Sequence, residues 1–197
     1  MPHPLDGEHI DQRFVDLTHD DVTIRRAAFE GCRFEGCRFE DTRLLDCRFV
    51  DCTFTSCDLV GVKLAGSSMV DVRFRGGRAM GVDWSALRTL MLGLGFADVR
   101  MDYASFSGLP LQGTEFRDCS LREAAFVECD LSRTSFDGCE LAGARFQHSK
   151  LIGADLRNTR GCSIHAASCT LRGTKVELST AVMLLSDLGV ECPDLGG

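Results

Sequence analysis

Residues 29–59 read FEGCRFEGCRFEDTRLLDCRFVDCTFTSCDL. A large apolar residue returns at every fifth position, at Phe29, Phe34, Phe39, Leu44, Phe49, Phe54 and Leu59, and a small residue stands two places before each. Neither the 3.6 period of a helix nor the 2 period of a strand keeps such a set on one side. A square coil with one pentapeptide per side does, because each side then turns its large centre and its small partner inward. One such coil has no buried face of its own and must stack on its neighbours.

The period reaches back to Ile24 and forward through Leu64, Met69, Phe74 and Ala79 to Trp84, then resumes from Met101 through Phe106, Leu111, Phe116, Leu121, Phe126, Leu131, Phe136, Leu141, Phe146 and Leu151 to Leu156. Eleven of the thirteen phenylalanines fall on these centres, which composition alone does not produce. Between Trp84 and Met101 the register shifts by two. Met91 and Phe96, with Thr89 and Leu94 before them, fit the second register, so the irregularity is expected to be a short bulge at 85–90. A second irregularity, GCSIHAAS at 161–168, precedes a last in-frame piece with Cys169, Leu171 and Val176. The expected organisation is an N-terminal cap at 1–23, a coil at 24–176, and a helix with its tail at 177–197.

The chain has 197 residues, 44% hydrophobic and 26% charged, which suits one domain with a real core. A formal charge of -7 has the wrong sign for binding nucleic acid by neutralising phosphates. The longest apolar-looking run, Leu90–Ala97, is too short to span a membrane, and the start MPHPLDGEHID is acidic rather than signal-like. A cytoplasmic protein with no membrane partner is expected.

Nine of the eleven cysteines follow the repeat: Cys32, Cys37, Cys47, Cys52 and Cys57 differ by multiples of five, as do Cys119, Cys129, Cys139 and Cys169. They read as buried apolar thiols, with Cys192 the reactive one. His3, His9, His19, His148 and His165 share no ligand spacing, so no metal is expected. Gly93 and Gly95 in LGLGFAD lack the third glycine and the βαβ unit of a dinucleotide loop. Recurrent acids single out no carboxylate pair for sugar cleavage. No catalytic residue, cofactor, small-molecule substrate or enzymatic activity is expected.

Motifs such as CRFEG, CRFED, CRFVD, CDLVG, CDLSR and LIGADL resemble the A(D/N)LXX pattern of pentapeptide-repeat proteins. The resemblance implies an all-β solenoid, a right-handed quadrilateral β-helix of about four pentapeptides per coil. At the C-terminal end, LSTAVMLLSDLGV at 178–190 reads as a short α-helix, with Ser179 as N-cap and Gly189 as C-cap. Val182, Leu185 and Leu188 form its apolar stripe, widened by Met183 and Leu184. The helix caps either its own coil or a joint between two chains.

GEHIDQRF at 7–14 and LRGTKVELSTAVMLLSDLGVE at 171–191 resemble the ends of the Qnr and MfpA group within that family. This implies a homodimer through the C-terminal helix that mimics duplex DNA, binds DNA gyrase or topoisomerase IV, and protects them from topoisomerase poisons. A scaffold for another protein partner is the alternative. Charge supports mimicry only in part: the two ends, 1–22 and 177–197, together carry -9, which leaves the coil at +2. Mildly acidic stripes remain at Glu30, Asp51 and Asp71, and at Glu115, Asp118, Asp137 and Asp155.

Overall fold

A computed structural model describes residues 5–190. The chain winds as a parallel β-solenoid of about seven turns and ends in one helix. Each pentapeptide makes one side of a turn: the small residue points in, the centre points in, and the residues flanking the centre point out. The residue two after a centre turns the corner in left-handed backbone, with φ from 48° at Asp21 to 73° at Gly108, except after Trp84, where Trp84–Ala86 form a short 3-10 turn. A Cβ costs about 1–2 kcal/mol in that conformation, least for Asp and Asn, and none for glycine. Hence Gly31, Gly36, Asp41, Asp46 and Asp51 follow one another at the corners.

Successive turns pair in parallel at an offset of twenty, as in Phe29↔Phe49, Phe34↔Phe54 and Phe126↔Phe146. Backbone groups at the sides bond to the turns on both faces; Arg43 N–H donates to Val22 O and Leu44 N–H to Lys63 O. The first side carries Ile24, Leu44, Leu64, Trp84, Phe106, Phe126 and Phe146; the second Phe29, Phe49, Met69, Leu111 and Leu131. On the third side stand Phe14, Phe34, Phe54, Phe74, Phe96, Phe116 and Phe136, and on the fourth Phe39, Leu59, Ala79, Met101 and Leu121.

Winding begins earlier than expected. His9 pairs with Phe29 and Phe14 with Phe34, so the expected cap at 1–23 contains a turn of the coil. His9 stacks on Phe29 at 4.9 Å between ring centres, and His19 stacks on Phe39 at 6.1 Å. Imidazoles thus occupy centre positions where the edge of the core meets water.

The register break is also placed differently. Arg88 N–H still donates to Ser67 O at the ordinary offset, whereas Gly93 O accepts from Val72 N–H two residues further on. The two extra residues are therefore expelled between them. Leu90 is 94% and Met91 69% exposed, so Met91 is no core centre and the bulge extends past 90. Leu87 and the half-buried Leu92 fill the inward space instead. The irregular stretch at 161–168 contains a short 3-10 turn at Ala166–Ser168 yet keeps the count, since Lys150↔Thr170 and Asp155↔Lys175 remain twenty apart.

The terminal helix α1 spans Leu178–Asp187. Its N-cap residue is Glu177, not Ser179, which lies in the first turn; Glu177 instead accepts the backbone N–H of Asn158 at 3.2 Å. Gly189 follows the C-cap Leu188 with φ 75°, as the closing hydrogen bond from Val190 N–H to Leu185 O requires.

Candidate interaction surfaces

The inward small positions do more than fill space. Cys52 Sγ donates to Phe29 O at 3.4 Å, Cys129 Sγ to Phe106 O at 3.0 Å, Thr134 Oγ1 to Leu111 O at 2.7 Å and Ser149 Oγ to Phe126 O at 2.9 Å. Each donor reaches the carbonyl of a centre residue on the turn before, twenty-three places back. Thiols and hydroxyls therefore alternate at these positions because either can satisfy a buried acceptor. Burial pushes the Cys52 and Cys129 thiols up to about 11 and Cys57 up to about 12, which keeps them protonated as donors. The reading of these cysteines as merely apolar is corrected accordingly. Ten cysteines, Cys32 to Cys169, carry free thiols, while Cys192 lies outside the described residues.

The acidic stripes have a largely local origin. Asp51, Asp71 and Asp118 are corner residues with φ 50°, 53° and 52°, so backbone geometry alone favours aspartate there. Glu30 lies 3.7 Å from Arg48, and Asp137 accepts from Asn158 Nδ2 at 2.9 Å. Asp155 binds Arg157 at 2.7 Å and Lys175 at 3.6 Å. The Arg157 hydrogen bond holds the Asp155 carboxyl down at about 2. Asp51, Asp71, Glu115 and Asp118 form no ion pair among the described residues.

These acids do not make one strip. Glu30, Asp51 and Asp71 follow the second side and its corner with the third, whereas Glu115, Asp118, Asp137 and Asp155 follow the third side beyond the break. Arg73, Arg75 and Arg117 stand between the two groups on the third side. Glu115 itself borders the depression that these arginines surround.

Of the predicted helix interface, Leu184 packs against the chain's own core, beside the buried Thr180. Asp187 accepts the backbone N–H of Ala166 at 2.8 Å, which ties the helix to the short 3-10 turn. Val182 and Leu185 are half-buried; Leu178, Met183, Leu188 and Val190 are 66%, 49%, 56% and 47% exposed. The helix thus caps its coil with one face and presents apolar side chains outward with another. Leu178 and Val190, which sequence reasoning missed, extend that outer face; both belong to the same apolar run.

Among the described residues no group of three or more His, Cys, Asp or Glu side chains is placed to hold a metal. No helix among them is long and apolar enough to cross a membrane.

A coil with a sealed core and functional groups spread over outer faces defines a repeat protein of the β-solenoid class. The profile of the pentapeptide repeat region matches residues 27–106 and 89–156, and the chain belongs to the pentapeptide-repeat family. Among solved structures it resembles two trypsin-treated forms of QnrB1, a plasmid-mediated fluoroquinolone resistance protein. One is 20% identical, with a TM-score of 0.56 over 91% of this chain and 99% of that chain. The other is 22% identical, with a TM-score of 0.53 over 94% and 99%. HetL, a pentapeptide-repeat protein of heterocyst differentiation regulation from the cyanobacterium Nostoc, is 12% identical, with a TM-score of 0.46 over 84% and 87%. No curated protein sequence matches the chain.

Proposed function

We propose that this protein is a non-catalytic, cytoplasmic binding protein that engages DNA gyrase or topoisomerase IV and protects it from quinolone-type or other topoisomerase poisons. The observation that carries this reading is the sequence resemblance at both ends to the Qnr and MfpA group. The end-to-end likeness in fold to a fluoroquinolone resistance protein is compatible with it. Recognition would use the unpaired carboxylates Asp51, Asp71, Glu115 and Asp118 as stand-ins for DNA phosphates, with the paired Glu30, Asp137 and Asp155 at their margins. The outer apolar face of α1, from Leu178 through Val182 and Leu185 to Leu188, would join two copies and double the length of the rod.

The basic residues between the two acidic groups favour a second reading, a scaffold for a different protein partner. Gyrase supercoiling in the presence of a quinolone separates the two. On the first reading, added protein restores supercoiling and duplex DNA competes with it for purified gyrase. If inhibition is unchanged at every protein concentration and no gyrase complex forms, the scaffold reading replaces it.

A further inference from the structure

We infer that the notch on the third side at Gly95 is a binding site for a phosphate group that carries a proton. In the turn at Leu94–Ala97, the two outward positions beside Phe96 are Gly95 and Ala97, so the surface is lowered there. The resulting depression measures about 250 Å³. That is below the roughly 300 Å³ at which pockets begin to enclose a drug-sized molecule, so it suits a small anionic group.

Its walls are cationic. Arg73 and Arg75 rise from the turn before and Arg117 from the turn after, and none of the three forms an ion pair among the described residues. Ten ion pairs elsewhere engage other surface arginines and Lys175. Arg73 lies where it does because its neighbour has no side chain: a Cβ on Gly95 would fall 2.9 Å from Arg73 Cδ and 3.3 Å from its Nε. Three planar guanidinium forks lining one depression suit a tetrahedral oxyanion better than a single carboxylate.

Glu115 borders the same notch and chooses among oxyanions. Its carboxylate repels a fully ionised group but accepts a hydrogen bond from one that keeps a proton. Inorganic phosphate keeps at least one proton throughout the neutral range, and a phosphate monoester keeps one only below its second pKa of about 6. Sulfate and phosphodiesters keep none. The inference does not rest on topoisomerase binding.

Titration with inorganic phosphate and with sulfate, followed by the arginine Nε–H resonances at low ionic strength, tests the site. Saturable one-to-one binding of phosphate at least fivefold tighter than sulfate is expected. The double substitution R75Q/R117Q should weaken phosphate by at least fivefold, while R25Q/R145Q on the first side should not. Glu115→Gln should bring phosphate and sulfate to within twofold of each other, and folding of each variant is checked by its circular dichroism. Competition by a nucleoside 5′-monophosphate below pH 6, where it holds a proton, would identify a terminal phosphate as the source, and its absence would leave the free ion. Equal binding of phosphate and sulfate by the parent protein overturns the inference, as does retention of binding in R75Q/R117Q or stronger competition by duplex DNA than by the monophosphate.

Discussion

The turns before the insertion and the turns after it solve one packing problem in two ways. Before it, phenylalanines sit on adjacent sides: Phe29 meets Phe34 edge-on at 5.3 Å and 71°, and Phe49 meets Phe54 at 5.8 Å and 58°. After it, they come from opposite sides and interlock nearly at right angles; Phe106–Phe116 is at 85°, Phe126–Phe136 at 86° and Phe136–Phe146 at 89°. Leucines from the other two sides fill the remainder, at Leu111, Leu121, Leu131 and Leu141. The third side is aromatic in both halves, and only the second column changes place. Trp84 mediates the change, edge-on to Phe74 and Phe96 and stacked over Phe106 at 5.9 Å. A coil of fixed circumference thus needs about one aromatic pair per turn, whichever sides supply it.

The comparison is tested most severely by Phe126→Ala, in the interlocked half, where the ring is fully buried. Its expected cost is about 3–5 kcal/mol in denaturant unfolding, the usual range for a buried aromatic. Phe14→Ala, at the half-buried open end, should cost less than half as much; equal losses would erase the distinction between end and middle. Next in size is Thr134→Val, which keeps the shape and removes one of the two donors to Leu111 O, the backbone N–H of Thr114 at 3.1 Å remaining. A loss of about 0.5–1.5 kcal/mol is expected, the net value of one hydrogen bond, with Thr134→Ser recovering most of it.

Deleting Leu90 and Met91 should return the 22-residue turn to twenty and change stability by no more than about 1 kcal/mol, since both side chains are exposed. A large loss would show that the insertion holds the two halves together. The smallest effect is electrostatic. Asp155 has a folded pKa of about 2, below its unfolded value, so its contribution is present above about pH 4 and is lost as pH falls toward 2. Because Asp155 remains partly exposed, Asp155→Asn should cost about 1 kcal/mol or less at pH 7 and nothing at pH 2, read from paired melting curves.

The repeating core was legible because each centre is independently apolar and spaced by five. The first turn was missed because two of its centres, His9 and His19, are polar and lie near the open end. The spacing 9, 14, 19, 24 was nonetheless present. Met91 was misassigned because a period gives the size of a register shift without saying which residues are expelled; the backbone bonds of Arg88 and Gly93 decide that. The donor role of Cys129 or Thr134 depends on a carbonyl twenty-three residues away, which no local pattern displays. Acid counting likewise treated Asp51 and Asp71 as chosen for charge, when left-handed corner geometry already favours them.

The aromatic column of the third side runs from Phe14 to Phe136 with ring centres 4.5 to 5.2 Å apart, and it passes the insertion without a gap. In mechanical terms the protein is a spar, and the Leu90–Met91 bulge is a fitting bolted to its outside rather than a joint within it. Bending at the register shift would have to pry apart Phe74 and Phe96, the rings that continue the column there. The distance from the first turn to the turn of Phe136 is therefore held by one unbroken stack, so a partner gripping both would meet a ruler instead of a hinge.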